Sequence, residues 1–354
     1  MFRILIACLA TGLLPFSLWA RVEVVAANAI IADWVEQIGG DQVAITTLVE
    51  AGEDPHHFEP SPRMIRKLAK ADIIIEFGQG MEPWLEDLIA ASDTSAQIIT
   101  LTYGLDLMAT GDPYWSEIPE LHQDAENKPP CCSGDAIEEN KVWAIMIATL
   151  EIEHAVECED HEHGYADHHA HEHGEYDPHV WLDPQMALMM VLTIDGALAD
   201  ADPDSAATFS KRREAYLEEL IDLDEWAAAQ LATIPVEHRF LINYHDNLRY
   251  FGRRYGFITP KSVLGTNTTE ASDPSAKEFA TLVKWIQKHQ VPALFVDATA
   301  NEKLTRQISR EAGLPDPYRL YTGNLSPDAE ASDYLSMMRT NVNTLTEALA
   351  QPRP

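Results

Sequence analysis

Positive charge is what this chain has least of: 25 lysines and arginines face 57 aspartates and glutamates among 354 residues, for a formal net charge of −32. A field of that sign repels nucleic acid and anionic lipid and gathers cations, so no nucleic-acid partner is expected. Long apolar runs are scarce as well. The longest candidate after the N-terminus, residues 186–198, is interrupted by Asp195 and falls short of a membrane span. Cysteine is nearly absent, with four in the whole chain. An apolar fraction of 46% nevertheless excludes disorder of the whole, and the length suits two domains, each with its own core.

Residues 1–20 carry one basic residue, Arg3, then an apolar run at 4–10 and an ending Leu18-Trp19-Ala20. This predicts a secretory signal peptide cut after Ala20, because the apolar stretch is too short to span a bilayer and a small residue sits at the cut. Leu5-Ile6-Ala7-Cys8 also spells a lipid-attachment site, although only seven residues precede the cysteine, so soluble export is the expectation. Export leaves Cys131, Cys132 and Cys158. One of the adjacent pair could bridge to Cys158 in an oxidising compartment; a zinc-thiolate site is the alternative, without C-x-x-C spacing to support it.

Along the mature chain, strand patterns at Val22-Glu23-Val24-Val25-Ala26 and residues 43–49, 73–77 and 98–102 alternate with helical patterns such as 30–38 and 62–71. Alternation of this kind implies parallel pairing and a sheet covered on both faces. After Pro203 no proline or glycine occurs until past residue 231, and Leu217, Leu220, Ile221, Leu223 and Trp226 fall at helical spacing. That predicts a helix of about 27 residues, some 40 Å long. Alternation resumes at 240–242, 257–258, 293–296 and 319–321, with a last helix over 332–349. The expected layout is an N-terminal α/β lobe over 21–202, a linking helix over 203–231 and a C-terminal α/β lobe over 232–354. Between 105 and 176 the pattern breaks at Pro113, Pro119, Pro129 and Pro130, so a surface loop is expected there.

Histidine is concentrated in that stretch. His161, His163, His168, His169, His171 and His173 are mixed with carboxylates inside a loop of about 154–176, and no lysine or arginine occurs from 142 to 210. Such borderline ligands suit Zn2+ better than Mg2+ or Ca2+, and a loose tract suits collection better than tight binding. The plain alternative is a solvated low-complexity loop. Elsewhere, Asp54-Pro55-His56 and Asp177-Pro178-His179 share a spelling in which proline stiffens the chain before the imidazole. A third histidine, His245, follows the apolar run 240–243 and precedes a helical pattern at 247–255. Open α/β sheets bind ligands at the carboxyl ends of their strands, where His56 and His245 both fall. Three histidines from separate loops can supply the nitrogens of a tetrahedral site.

The run Gly52-Glu53-Asp54-Pro55-His56-His57-Phe58-Glu59-Pro60-Ser61-Pro62, the run Asp177-Pro178-His179-Val180-Trp181-Leu182-Asp183-Pro184, and Tyr244-His245-Asp246 resemble the three metal-binding motifs of the zinc and manganese solute-binding proteins of ABC transporters, the TroA-like group. Phe295-Val296-Asp297 and the segment 334–341 resemble later landmarks of that family. The resemblance covers nearly the whole mature chain except the insertion around 105–176. It implies two Rossmann-like lobes with parallel sheets joined by one long helix, with the metal in the cleft between them. It also implies a monomeric periplasmic protein that is no enzyme. Its partner would be a permease in the inner membrane, with a periplasmic metallochaperone as a further candidate. Carried over, the ligands are His56 rather than its neighbour His57, then His179 and His245. Manganese members often carry a glutamate at the third position, so a histidine there resembles the zinc branch, with Zn2+ ahead of Mn2+. Gly323 stands where many relatives have an aspartate. A water, Asp328 or Glu330 from the following loop, or a histidine of the 154–176 loop could complete the shell.

Three other functions compete. A zinc hydrolase also uses three histidines and an open position, but H-E-x-x-H is missing, since His161-Glu162-His163 and His171-Glu172-His173 have the wrong spacing. A periplasmic zinc buffer would use the same ligands as a delivery protein. Manganese or iron uptake is opposed chiefly by the third histidine.

Overall fold

In the computed structural model, which describes residues 21–109, 176–259 apart from Tyr244 and Asp246, and 276–350, the alternation becomes two parallel sheets. The first has the order β2-β1-β3-β4, built from β1 (Val22–Asn28), β2 (Val43–Val49), β3 (Ile73–Glu76) and β4 (Gln97–Thr100). Every pairing is parallel, with Val24 beside Ile45 on one flank and Ile73 on the other. Strands covered on both faces read as continuous apolar runs, which is how β1 and β3 read. Ile73, Ile74 and Ile75 are fully buried, whereas Ile98 on the edge strand β4 is exposed.

Helices α1 (Ala29–Gly39), α2 (Pro62–Leu68) and α3 (Leu85–Ser92) follow successive strands. Asn28 caps α1 by accepting from the Ile31 N–H, and Ile30, Ile31, Trp34, Val35 and Ile38 form its buried stripe. Its end is tight: a Cβ on Gly39 would lie 2.4 Å from Val43 Cγ1, so only glycine fits where α1 turns into β2.

Asp183 caps α4 (Pro184–Ala201) through the Gln185 N–H, and a turn at 202–205 leads into α5 (Ala206–Leu231). The 26 residues of α5 match the long helix expected from the missing helix breakers. It packs on α4, α1 and the C-terminal helix α9 (Tyr334–Ala350). Phe209, Tyr216, Leu217, Leu220, Leu223, Ala227 and Leu231 form its buried face. Ion pairs tie it along its length: Arg213 reaches Asp195 of α4 at 2.6 Å, and Asp224 accepts from both Arg254 and Tyr255.

The second sheet is smaller. β5 (Phe295–Asp297) pairs in parallel with β6 (Tyr318–Leu320), and the chain at Phe240 and Asn243 adds single parallel bridges to Ile258 and Phe295. The expected strands at 240–242 and 257–258 are therefore reduced to bridges, because the first turns at once into the His245 loop and the second pairs only with it. Around this sheet lie α6 (Arg249–Tyr255), α7 (Ala276–Lys288) and α8 (Lys303–Ala312). A small core of Phe240, Leu282, Ile286, Leu294, Ile308 and Leu314 forms among them. A larger core covers the first sheet and extends to Phe295, Leu320 and the apolar face of α9. The fold class read from the sequence, parallel α/β sheets with one long helix, is the one observed. The expected leader at 1–20 and the three cysteines Cys131, Cys132 and Cys158 lie outside the described residues. Among the described residues, no helix is long and apolar enough to cross a membrane.

Three carboxyls sit deep in this packing. Burial, reinforced by nearby Glu76, raises Glu82 to about 8, although its two oxygens accept from the Phe77 and Gly78 N–H groups at 3.1 Å. Burial raises Asp33 and Asp183 to about 6. Each then binds a proton in the folded chain over a range in which the unfolded chain has released it. Their contribution is therefore unpenalised below the ordinary carboxyl range and is lost as pH rises through the folded values. Chemical denaturation of the metal-free protein is expected to give a higher unfolding free energy near about pH 5 than above about pH 8, with Glu82→Gln flattening the upper half of that decline. Identical pH profiles for the two proteins would contradict this.

Candidate metal centre

The loop after β2 carries the first histidine. Asp54 accepts from the His56 backbone N–H at 2.9 Å, and Pro55 opens a single 3-10 turn, Pro55–His57. Trp84 donates its indole N–H to the Pro55 carbonyl at 3.0 Å and packs on Phe58, so the turn is held from the α3 side.

The second copy of the same spelling repeats the device. Asp177 Oδ1 accepts from the His179 backbone N–H at 3.0 Å and also meets His179 Nδ1 at 2.7 Å. A carboxylate only accepts, so this contact assigns the ring proton to Nδ1 and leaves the Nε2 lone pair facing outward. Asp177 is itself gripped: its carbonyl accepts from Tyr250 Oη at 2.9 Å, its N–H donates to the Met108 carbonyl, and Arg249 stands 3.7 Å from its second oxygen. His179 is only 3% exposed. Trp181, two residues on, stacks against Phe77 and donates to the Thr322 carbonyl at 3.0 Å.

The third histidine sits in a tight turn in which the Asn247 N–H donates to the His245 carbonyl at 2.9 Å. Asn243 donates to Asn247 Oδ1 at 3.1 Å, and Asn247 donates to Thr322 Oγ1 at 2.8 Å, locking both shoulders of the turn.

The structure brings the three rings together. His56 Nε2 lies 3.3 Å and His245 Nε2 3.0 Å from His179 Nε2, and one ligand atom from each ring lies within 4.8 Å of the others. Nitrogens at about 2.05 Å from a tetrahedral zinc ion stand about 3.3 Å apart, and the separations of His56 and His245 from His179 match that spacing. Asp328 and Glu330 do not join them. Asp328 is paired with the Ser326 hydroxyl and N-terminal to a short turn, and Glu330 accepts from Tyr321 Oη at 2.6 Å. Among the described residues the cluster is the three histidines alone. At Gly323 the backbone N–H donates to Asp297 Oδ2 at 3.1 Å. The accessory histidines His161, His163, His168, His169, His171 and His173 lie outside the described residues.

Sequence reasoning found the imidazoles and missed what aims them. Asp54 and Asp177 were visible in the repeated Asp-Pro-His spelling as a signal for side-chain capture of the histidine two residues on. Arg249, Tyr250 and Asn247 gave no such signal.

Three rings from loops far apart in the chain converge, and such a group could hold a metal ion. The chain belongs to the family of ZnuA, the periplasmic zinc-uptake complex component A, whose model matches residues 24–348. It is 26% identical over 333 residues to the manganese ABC transporter substrate-binding lipoprotein scaA of Streptococcus gordonii, covering 94% of this chain and 90% of that one. It is 25% identical over 331 residues to the manganese-binding lipoprotein MntA of Halalkalibacterium halodurans, covering 93% and 89%. Among solved structures, the periplasmic zinc-binding protein TroA of Treponema pallidum superposes with a TM-score of 0.68 at 22% identity, over 94% of this chain and all of that one. A manganese-bound periplasmic metal-binding protein from Candidatus Liberibacter asiaticus also gives 0.68, at 20% identity, over 93% of this chain and all of that one. The chain is thus a substrate-binding protein of a metal ABC transporter, not an enzyme, and such proteins deliver a divalent metal to a membrane permease.

Ring-nitrogen NMR on the metal-free protein tests the site directly. A proton on His179 Nδ1 and none on Nε2 is expected, and the opposite tautomer would contradict the assignment.

Proposed function

We propose that this protein captures Zn2+ after export to the periplasm, with His56, His179 and His245 as its ligands, and hands it to an ABC permease. The observation that carries the reading is the meeting of three rings, with the nitrogens of His56 and His245 at 3.3 and 3.0 Å from His179 Nε2 and the tautomer of His179 set for binding. An all-imidazole set favours zinc, since manganese sites lean on carboxylates. In this reading an N-terminal lobe over 21–202 and a C-terminal lobe over 232–354 bring the ligands to their common cleft, with 203–231 as the linking helix. Zinc is gathered by the acidic, histidine-rich run and passed inward, and the protein works as a monomer.

Manganese is the second reading, favoured by the names of the relatives from Streptococcus gordonii and Halalkalibacterium halodurans. Affinity alone does not decide between the two, because almost any nitrogen site binds zinc more tightly than manganese. Growth does. A strain lacking the protein is expected to fail under zinc chelation and to be rescued by zinc, whereas rescue by manganese alone supports the second reading, and growth without any defect supports a buffer.

In calorimetry, His56→Ala, His179→Ala and His245→Ala are each expected to weaken zinc binding by at least about a hundredfold, more than the loss of a supporting partner costs. Acidification should also weaken binding, since imidazole must be neutral to bind. Unchanged binding in all three variants would end the proposal.

A further inference from the structure

Two residues of the segment after β6, Thr322 and Asn324, touch the supports of all three histidines. The Thr322 carbonyl accepts from Trp181, in the turn that begins at His179. The Thr322 hydroxyl accepts from Asn247, which closes the His245 turn. The Asn324 side chain donates to two backbone carbonyls of the His56 loop, Glu50 at 3.0 Å and Glu53 at 3.1 Å. Beside it the Gly52 N–H donates to the Leu325 carbonyl at 2.7 Å. Gly52 has φ +88°, and a Cβ there would lie 3.1 Å from Pro327 Cδ, so the two loops close on each other at a position that only glycine enters without strain.

This segment is itself anchored. Asp297, at the end of β5, accepts on Oδ2 from the Thr322 N–H, the Thr322 hydroxyl and the Gly323 N–H, at 3.0, 2.5 and 3.1 Å. Its Oδ1 accepts from the Thr299 N–H and hydroxyl. Thr322 is fully buried and Asn324 is 2% exposed, so these contacts are made away from competing water.

We propose that Thr322-Gly323-Asn324 is a positioning strap, in which Asn324 sets His56 and Thr322 sets His179 and His245, so that the three rings are aligned before metal arrives. The strap lends geometry instead of a ligand atom. Its amide and hydroxyl hold backbone and support groups across 271 to 274 residues of sequence separation for Asn324 and 75 for Thr322. A site aligned in advance loses less ordering entropy on binding, so the strap should act on affinity through the particular ring that each residue supports. The inference rests on the three-histidine reading.

A double-variant cycle on the full chain tests it, with zinc affinity read by competition against a chromophoric chelator and folding checked by circular dichroism. Asn324→Ala is expected to weaken binding by about tenfold or more in the wild-type background and by less than about twofold once His56 is alanine. Thr322→Val is expected to keep its full effect in the His56→Ala background. Gly52→Ala strains the same clasp from the other loop and should share the dependence of Asn324→Ala on His56, which carries the test if the first variant folds poorly. Equal losses from Asn324→Ala with and without His56 would overturn the strap, because a general loss of stability does not depend on one ring. Unchanged affinity in Asn324→Ala beside a weakened His56→Ala overturns the strap alone. Unchanged affinity in His56→Ala overturns the three-histidine reading and the strap together.

Discussion

The hydrogen bond from His179 Nδ1 to Asp177 is the constraint on which the site depends. Two imidazole nitrogens 3.0 Å apart repel if both present lone pairs and nothing lies between them, so close approach of three rings requires a shared proton or a shared cation. By holding one proton on the far side of the central ring, Asp177 turns its Nε2 toward the meeting point. Every support behind Asp177 therefore acts on the direction of that nitrogen. Tyr250 and Arg249 follow His245 in the chain yet grip the residue that aims His179, so the second and third histidines share one scaffold.

That scaffold is stiff in the direction that matters. The His56 loop follows the first sheet's β2, the His245 loop follows the bridge that Asn243 makes to β5, and His179 stands just ahead of α4. Helix α5 crosses between α4 and the last helix with an apolar face and ion-paired anchors. A 26-residue helix packed in this way resists bending, which favours small tilts and loop adjustments over a wide closure on loading. The strongly negative surface supports the same task by raising the local concentration of cations.

Much of this was legible in the sequence because it is written in local patterns. The isoleucine run of β3, the alternation of the N-terminal half and the breaker-free stretch that becomes α5 each state their structure within a short window. The three histidines stood out through two Asp-Pro-His spellings and a strand-end position. Helices α3 and α8 were harder to see, the first because it has only eight residues and the second because its buried positions include Thr305 and Ser309. A carboxylate from Asp328 or Glu330 looked available near the site, but hydroxyls of Ser326 and Tyr321 occupy those groups. The supports of the site were invisible for a different reason. Asn324, Arg249 and Tyr250 act through side-chain bonds to distant backbone, and no periodicity or spacing encodes such a contact.

The central claim is that the three ring nitrogens share one ion. A crystal structure of the protein loaded with one equivalent of zinc, with anomalous scattering recorded at the zinc edge, tests it most directly. A single peak about 2.0–2.1 Å from Nε2 of His56, His179 and His245 is expected. A peak held by other residues, or by only one of these rings, would contradict it.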